Sequence, residues 1–435
     1  MLSKTNHMDQ KTYIKSLYII AVLFFVFGFV TWINAMLIPY FKICCELNNL
    51  ESYFVAFAFY ISYLFISFPA SILLKKFGFK NGMMIGFFVM AIGAFIFVPA
   101  ALLRNYLLFL VGLFTLGAGL AVLQTAANPY VTILGPKNSA AMRFSIMGIC
   151  NKFAGILAPL LFAAVILKSS DKALFEQVKS MGAVERASIL DELIRRVIVP
   201  YSCVGLILVL LGFLVRFSSL PEINTEQEDE VTAESNKGKR NIFQFPHLVL
   251  GAIAIFVHVG SQVIAVDTII GYAHSMNISL LEAKVFPSYT LTATIVGYIL
   301  GISLIPKYLS QILALRVCIV LGVVFTLCII FCNGSVVILG HRADISIWFI
   351  VLLGFANSMI WAGIWPLSMD RLGRFIKIGA AILIMGLSGN AVMPLLYGHL
   401  ADIYGLQNAY FVLLPCYLYL LFYAYKGYKL ERWIS

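Results

Sequence analysis

Apolar residues come in long unbroken runs along this chain, not in the alternating or one-faced stripes of a water-soluble fold. Twelve stretches, at 16–41, 52–74, 82–103, 106–133, 144–167, 197–217, 247–273, 284–305, 314–332, 345–369, 379–401 and 409–425, are nearly free of charge. A bilayer core about 30 Å thick needs about 20 apolar residues per helical crossing, so each run predicts one membrane-spanning helix. The expected fold is an all-α membrane protein with twelve transmembrane helices. Between the sixth and seventh runs, 218–246 contains TEQEDEVTAESNKGKR, whose charge density predicts a flexible cytoplasmic linker. It separates an N-terminal six-helix bundle, 1–217, from a C-terminal one, 247–435. The halves echo each other: Leu134-Gly135 with Leu372-Gly373, Met147-Gly148 with Met385-Gly386, and Pro159-Leu160-Leu161 with Pro394-Leu395-Leu396. Two six-helix pseudo-repeats with a site at their interface are the pattern of a rocking transporter.

Composition agrees. Of 435 residues 61% are hydrophobic and 12% charged, and mean hydropathy is +0.93, so the solvent for most of the chain is lipid. The net charge of +11 would suggest nucleic acid in a soluble protein. Here 20 of the 31 Lys and Arg residues fall in the N-terminal segment and the even-numbered connections, which predicts orientation: both termini cytoplasmic, in an inner membrane, with no nucleic-acid partner. The eight cysteines show no CxxC or Cys/His ligand spacing. The first run, Leu17 to Ile38, is longer than a signal-peptide core and has no cleavage site. No Walker A motif, GxSxG or HExxH is present, so neither ATP-driven transport nor hydrolysis has support, and neither a metal nor a cofactor is expected. The protein is read as not an enzyme.

Polar side chains deep in the runs carry the candidate chemistry. Gln124 and Asn128 lie one turn apart, about 40° apart in azimuth, just before Pro129. Facing lipid would leave their amides without partners, so they either tie helices together or meet a substrate. Asn357, Trp361 and Trp365 recur every fourth residue. An amide with two indoles on one stripe suits a sugar, whose hydroxyls want hydrogen bonds and whose C–H face stacks on aromatics; interfacial Trp and packing Asn are the bland alternative. Asn34, Asn151, Gln262 and Asn390 complete the substrate candidates. Three titratable groups could couple a proton or sodium ion: Asp267, the one acid within a run; His258, which shares a helix face with Gln262; and Lys152, the one base within a run. Asp267 lies near the outer boundary and could equally cap a loop, and Lys152 could be a substrate ligand, a resident positive charge or a snorkelling side chain. Counted by depth the two differ by over about 10 Å, too far for a salt bridge.

The stretches WINAMLIPY, FPASILLKKFGFKNG, LFLVGLFTLGAGLAVLQTAANPYVTILGP and CNKFAGILAP resemble the fucose/glucose-galactose permease group of the major facilitator superfamily. HVGSQVIAVDTIIGY, SYTLTA and WAGIWPLSMDRLGRFIKIGAAILIMG look like its hexose and N-acetylglucosamine permease branch. The resemblance spans roughly 18 to 425 and implies a major facilitator fold that carries a monosaccharide inward, typically with a proton or sodium ion. It also implies a departure. Where the group's fucose permeases keep proton-linked acids, this chain has Ala35 after Asn34, and Gln124 before Thr-Ala-Ala-Asn-Pro; Asn151 matches the group's asparagine, but its small neighbour is Lys152. Sugar recognition carries over better than coupling. The expectation is a monomeric secondary importer of a hexose such as glucose, galactose, fucose or N-acetylglucosamine, with a uniporter, an exporter of another small molecule, or a membrane sugar sensor as rivals.

Overall fold

The computed structural model describes residues 10–47, 49–166, 181–220, 241–278, 280–283 and 285–433. Most of the linker, 221–240, and most of the loop 167–180 lie outside them. The chain folds as helices α1 (Gln10–Cys44), α2 (Asn49–Leu102), α3 (Tyr106–Ile133), α4 (Ala140–Ile166), α5 (Ala183–Arg195), α6 (Ile198–Phe217), α7 (Pro246–Asp267) and α8 (Ile269–Ser275). There follow α9 (Phe286–Leu304), α10 (Gln311–Phe331), strands β1 (Ser335–Ile338) and β2 (His341–Asp344), α11 (Ile345–Met369), α12 (Ile376–Met385), α13 (Gly389–Tyr404) and α14 (Leu413–Tyr425). Among the described residues ten stretches are long and apolar enough to cross a membrane, one of them, Phe54–Leu102, being 49 residues long. Gly78 breaks that stretch (φ 78°, ψ 173°), and α4 supplies a further crossing, so each of the twelve runs has a helix. Large apolar side chains such as Phe65, Leu107, Leu206 and Phe217 face outward with 61–81% of their surface exposed, which only lipid makes favourable.

The backbone of Gly78 occupies a region essentially reserved for glycine. Gly78→Ala is expected to cost about 1–3 kcal/mol, seen as a lower Tm in detergent; an unchanged Tm would show that the turn needs no glycine there.

The compact units cut across the expected halves. One unit comprises Met1–Ala21, Asn128–Lys152 and Ile223–Ser435, the other Val22–Ala127 and Phe153–Glu222. In the first, helices approach to backbone contact at glycines: a Cβ on Gly354 of α11 would sit 2.1 Å from Thr290 O of α9, and one on Gly389 of α13 the same distance from Phe256 O of α7.

Two elements escaped the hydrophobic pattern. Helix α5 lies in the polar loop before the sixth run and buries Leu190, Leu193 and Ile194. Arg104 binds Glu46 at 3.1 Å and Asp191 of α5 at 3.4 Å, and Arg186 of α5 binds Glu46 at 2.5 Å. The second is the hairpin β1–β2, registered Ser335↔Asp344 to Ile338↔His341. Its two-residue turn, Leu339-Gly340, has positive φ at both positions (52° and 84°), the conformation that matches strand twist. Asp344 then caps α11, accepting from Ser346 N at 2.9 Å and Gly334 N at 2.8 Å. Burial works against its charge, but these bonds and that of the Ser346 side chain outweigh it and hold the carboxyl below its usual range.

Candidate functional site

The first unit contains nine of the eleven candidates. Lys152 of α4 is only 6% exposed, and its ammonium donates to Gln262 Oε1 of α7 at 3.1 Å. This bond joins a charge with a neutral amide in the interior, and it is the central contact of the site. Asp267, at the last turn of α7, is exposed. It interacts with Lys152 through space, as does His258. The separation expected from depth therefore does not make the two charges independent. Asn151 is half-buried beside Lys152.

Helix α11 supplies the aromatic part. The Trp361 and Trp365 rings stack with centroids 5.4 Å apart and planes 22° apart, and Phe144 of α4 lies 6.1 Å from Trp365. Trp361 is half-buried and Trp365 fully so. Asn357, on the same stripe, is fully buried and accepts from Tyr417 Oη of α14 at 3.0 Å. That bond ties two helices, which is what a packing Asn does, while its Nδ2 has no partner among the described residues. The same is true of His258 Nδ1, Trp365 Nε1 and Asn390 Oδ1. Buried polar atoms are nearly always satisfied, and leaving one unmade costs about 1–3 kcal/mol. These four, with Ser16 Oγ and Trp348 Nε1 in the same unit, are groups that a polar ligand or water could satisfy. Asn128 is buried, and its backbone carbonyl accepts from Thr132 Oγ1 at 3.3 Å.

Below Lys152 the N-terminal half of α4 packs on the later helices. The Tyr298 ring of α9 lies so close to Gly148 that a Cβ there would meet it at 2.4 Å. Ser145 Oγ lies 3.4 Å from Met359 Sδ, and Gln311 Oε1 accepts from Ala141 N at 2.8 Å. Arg143, a basic residue at the start of the fifth run, is fully buried and donates to Val131 O at 2.7 Å, Pro136 O at 3.0 Å and Thr132 O at 2.9 Å. It caps the C-terminal end of α3.

In the other unit Gln124 is half-buried and its Nε2 donates to Tyr63 Oη at 3.2 Å. Tyr63 is fully buried and stacks on Tyr60. Sequence reasoning missed Tyr63, since a tyrosine within an apolar run has no distinguishing signal. The side chain of Asn34 lies outside the described residues. Among the described residues no three His, Cys, Asp or Glu side chains gather as a metal site.

A bundle of apolar helices that keeps an ammonium, a carboxylate, amides and stacked indoles in its interior has the build of a carrier for small polar molecules. The chain belongs to the Major Facilitator Superfamily, whose sequence model matches residues 20–386. It is 33% identical over 430 residues to a glucose/galactose transporter of Brucella abortus, covering 98% of this chain and 97% of that one. It is 28% identical over 402 residues to the L-fucose-proton symporter of Escherichia coli, covering 91% and 89%. The crystal structure of the Escherichia coli fucose:proton symporter aligns with a TM-score of 0.79 at 25% identity, covering 95% of this chain and 98% of that one. These bear out the twelve-helix fold, the resemblance to the fucose/glucose-galactose group, and the reading as a transporter, not an enzyme.

Proposed function

We propose that this protein is a secondary active importer of a neutral monosaccharide of the hexose class, driven by a cation gradient and working by alternating access without a cofactor. The observation that carries the reading is the Lys152–Gln262 contact and the stacked indoles of α11 within one compact unit, together with relatives that are glucose/galactose and fucose transporters. Amides and hydroxyls replace the water of a polyol, indoles meet its C–H face, and differential affinity in the outward-open and inward-open states drives the cycle. In this scheme the halves 1–217 and 247–435 are the repeats that rock, the segment 218–246 links them on the cytoplasmic side, both termini are cytoplasmic in the inner membrane, and the monomer is the working unit. Asn34, Gln124, Asn128, Asn151, Gln262, Asn357, Trp361 and Asn390 are the substrate candidates.

The test is a panel of labelled hexoses, including N-acetylglucosamine, in proteoliposomes under separately imposed proton and sodium gradients. Uphill uptake of a hexose with one of the gradients supports the proposal; no counterflow with any sugar discards import. A neutral amide, Gln124 bonded to Tyr63, cannot release a proton, which favours a uniporter as the second reading; exchange without accumulation under either gradient would select it. Gln124→Ala is expected to weaken sugar affinity about five- to tenfold, the worth of one hydrogen bond of about 1 kcal/mol or slightly more, at normal expression. Unaltered affinity would remove Gln124 from the site.

A further inference from the structure

At the helix ends away from the linker lies a pocket of about 350 Å³ whose walls include none of the site candidates named above. Ligand pockets span about 300–1,000 Å³, so this one suits a molecule no larger than a monosaccharide. Tyr272 and Ser275 of α8, Asp344 at the head of α11, Tyr404 closing α13, and Gln407 and Asn408 just beyond it line the space. All belong to one compact unit. Tyr272 stands ten residues past Gln262, about 15 Å further along the helical path. The walls are braced from behind. Tyr272 Oη bonds Ser346 Oγ at 2.7 Å, its ring meets that of Tyr410 edge-on, and Tyr397 Oη donates to Leu406 O at 3.0 Å. A cleft already held in shape has little left to order when a ligand enters.

The hydrogen-bonding capacity left over is one-sided. Gln407 Nε2 donates to Ile329 O at 2.9 Å and to Asn333 Oδ1 at 2.8 Å, Ser275 Oγ donates to Tyr272 O at 2.7 Å, and Asn408 Nδ2 donates to Tyr404 O at 3.0 Å. The amide oxygens of Gln407 and Asn408 have no partner among the described residues. The Asp344 carboxylate, with about four acceptor sites, meets two backbone N–H groups and Ser346, so it too has room for another donor. Spare acceptors select a ligand that brings donors, as the hydroxyls of a sugar do. An anion would face Asp344 with no base among the lining residues to offset it, and a bare metal ion needs a tight oxygen shell, not a space of this size. The Tyr404 ring, 63% exposed, offers the flat apolar face on which a sugar's C–H groups stack.

We propose that this pocket is a second hexose site, a vestibule subsite that holds sugar on the face where import begins. This rests on the reading as a sugar importer with its outer face opposite the linker.

The test is equilibrium dialysis of the full chain in detergent with the labelled hexose that it carries in proteoliposomes. Two molecules per wild-type chain are expected, and one in the double variant Tyr404→Ala/Asn408→Ala, whose counterflow should stay within severalfold of wild type. A single molecule per wild-type chain, or two in the variant, overturns the inference. A second measurement needs no variant: a photoreactive derivative of the same hexose, crosslinked to the wild type, is expected to modify 272–276 or 404–408 in addition to the central helices. Adducts confined to the central helices overturn the inference. Counterflow with single occupancy refutes the subsite alone, whereas absence of counterflow with every sugar refutes the import reading and the ligand assigned here with it.

Discussion

Arg143→Met is expected to be the most destabilising single change considered for this protein. The last carbonyls of a helix have no partners within it, and they carry the negative end of its dipole. At the end of α3, where Gly135 and Pro136 stop the helix, one guanidinium takes Val131, Thr132 and Pro136 carbonyls and donates to Ser139 Oγ at 2.9 Å. Each acceptor stranded without water costs about 1–3 kcal/mol, so the loss is expected to be about 3–5 kcal/mol or more. Arg143→Lys should recover only part, because a compact ammonium cannot reach as many acceptors as the planar fork. Thermal melting in detergent and the yield of monodisperse protein measure both; a Met variant that melts like wild type would show the cap to be dispensable.

Asp267→Asn should abolish cation-driven accumulation and spare exchange. The carboxylate is exposed at the last turn of α7, the one acid within an apolar run. Asparagine keeps the size of the side chain but removes its charge and turns one acceptor oxygen into a donor, so the substituted carrier still binds and moves sugar while losing a titratable group. Sugar would then equilibrate across the vesicle membrane under a proton gradient without being concentrated. Uphill uptake by the Asn variant would clear Asp267 of any part in coupling.

The helices were legible because oil imposes a length on them: the fourth run was bounded at 106–133 and the tenth at 345–369, which are the ends of α3 and α11. The break at Gly78 was less legible, since the two runs it separates form nearly continuous helix. Helix α5 and the hairpin escaped because both lie in polar connections, where apolar periodicity is absent or short. Of the site, the residue types were readable and their partnerships were not. Trp361 and Trp365 share a stripe by spacing alone, but no spacing within one helix could pair Lys152 with Gln262, Asn357 with Tyr417, or Gln124 with Tyr63. Depth along a helix sets how far Lys152 and Asp267 lie from the membrane surfaces, but not which side chain of another helix lies opposite them.

The close backbone approaches at Gly354 and Gly389, where a Cβ would sit 2.1 Å from a neighbouring carbonyl oxygen, have a consequence for turnover. Helices seated backbone to backbone cannot slide past one another without raising steric walls, so α9 with α11 and α7 with α13 must swing as stiff paddles. Such a machine stores little elastic energy within its blades. Its pace would be governed by how readily the surrounding acyl chains yield, and it should slow in stiffer, more saturated lipid even where sugar affinity is unchanged.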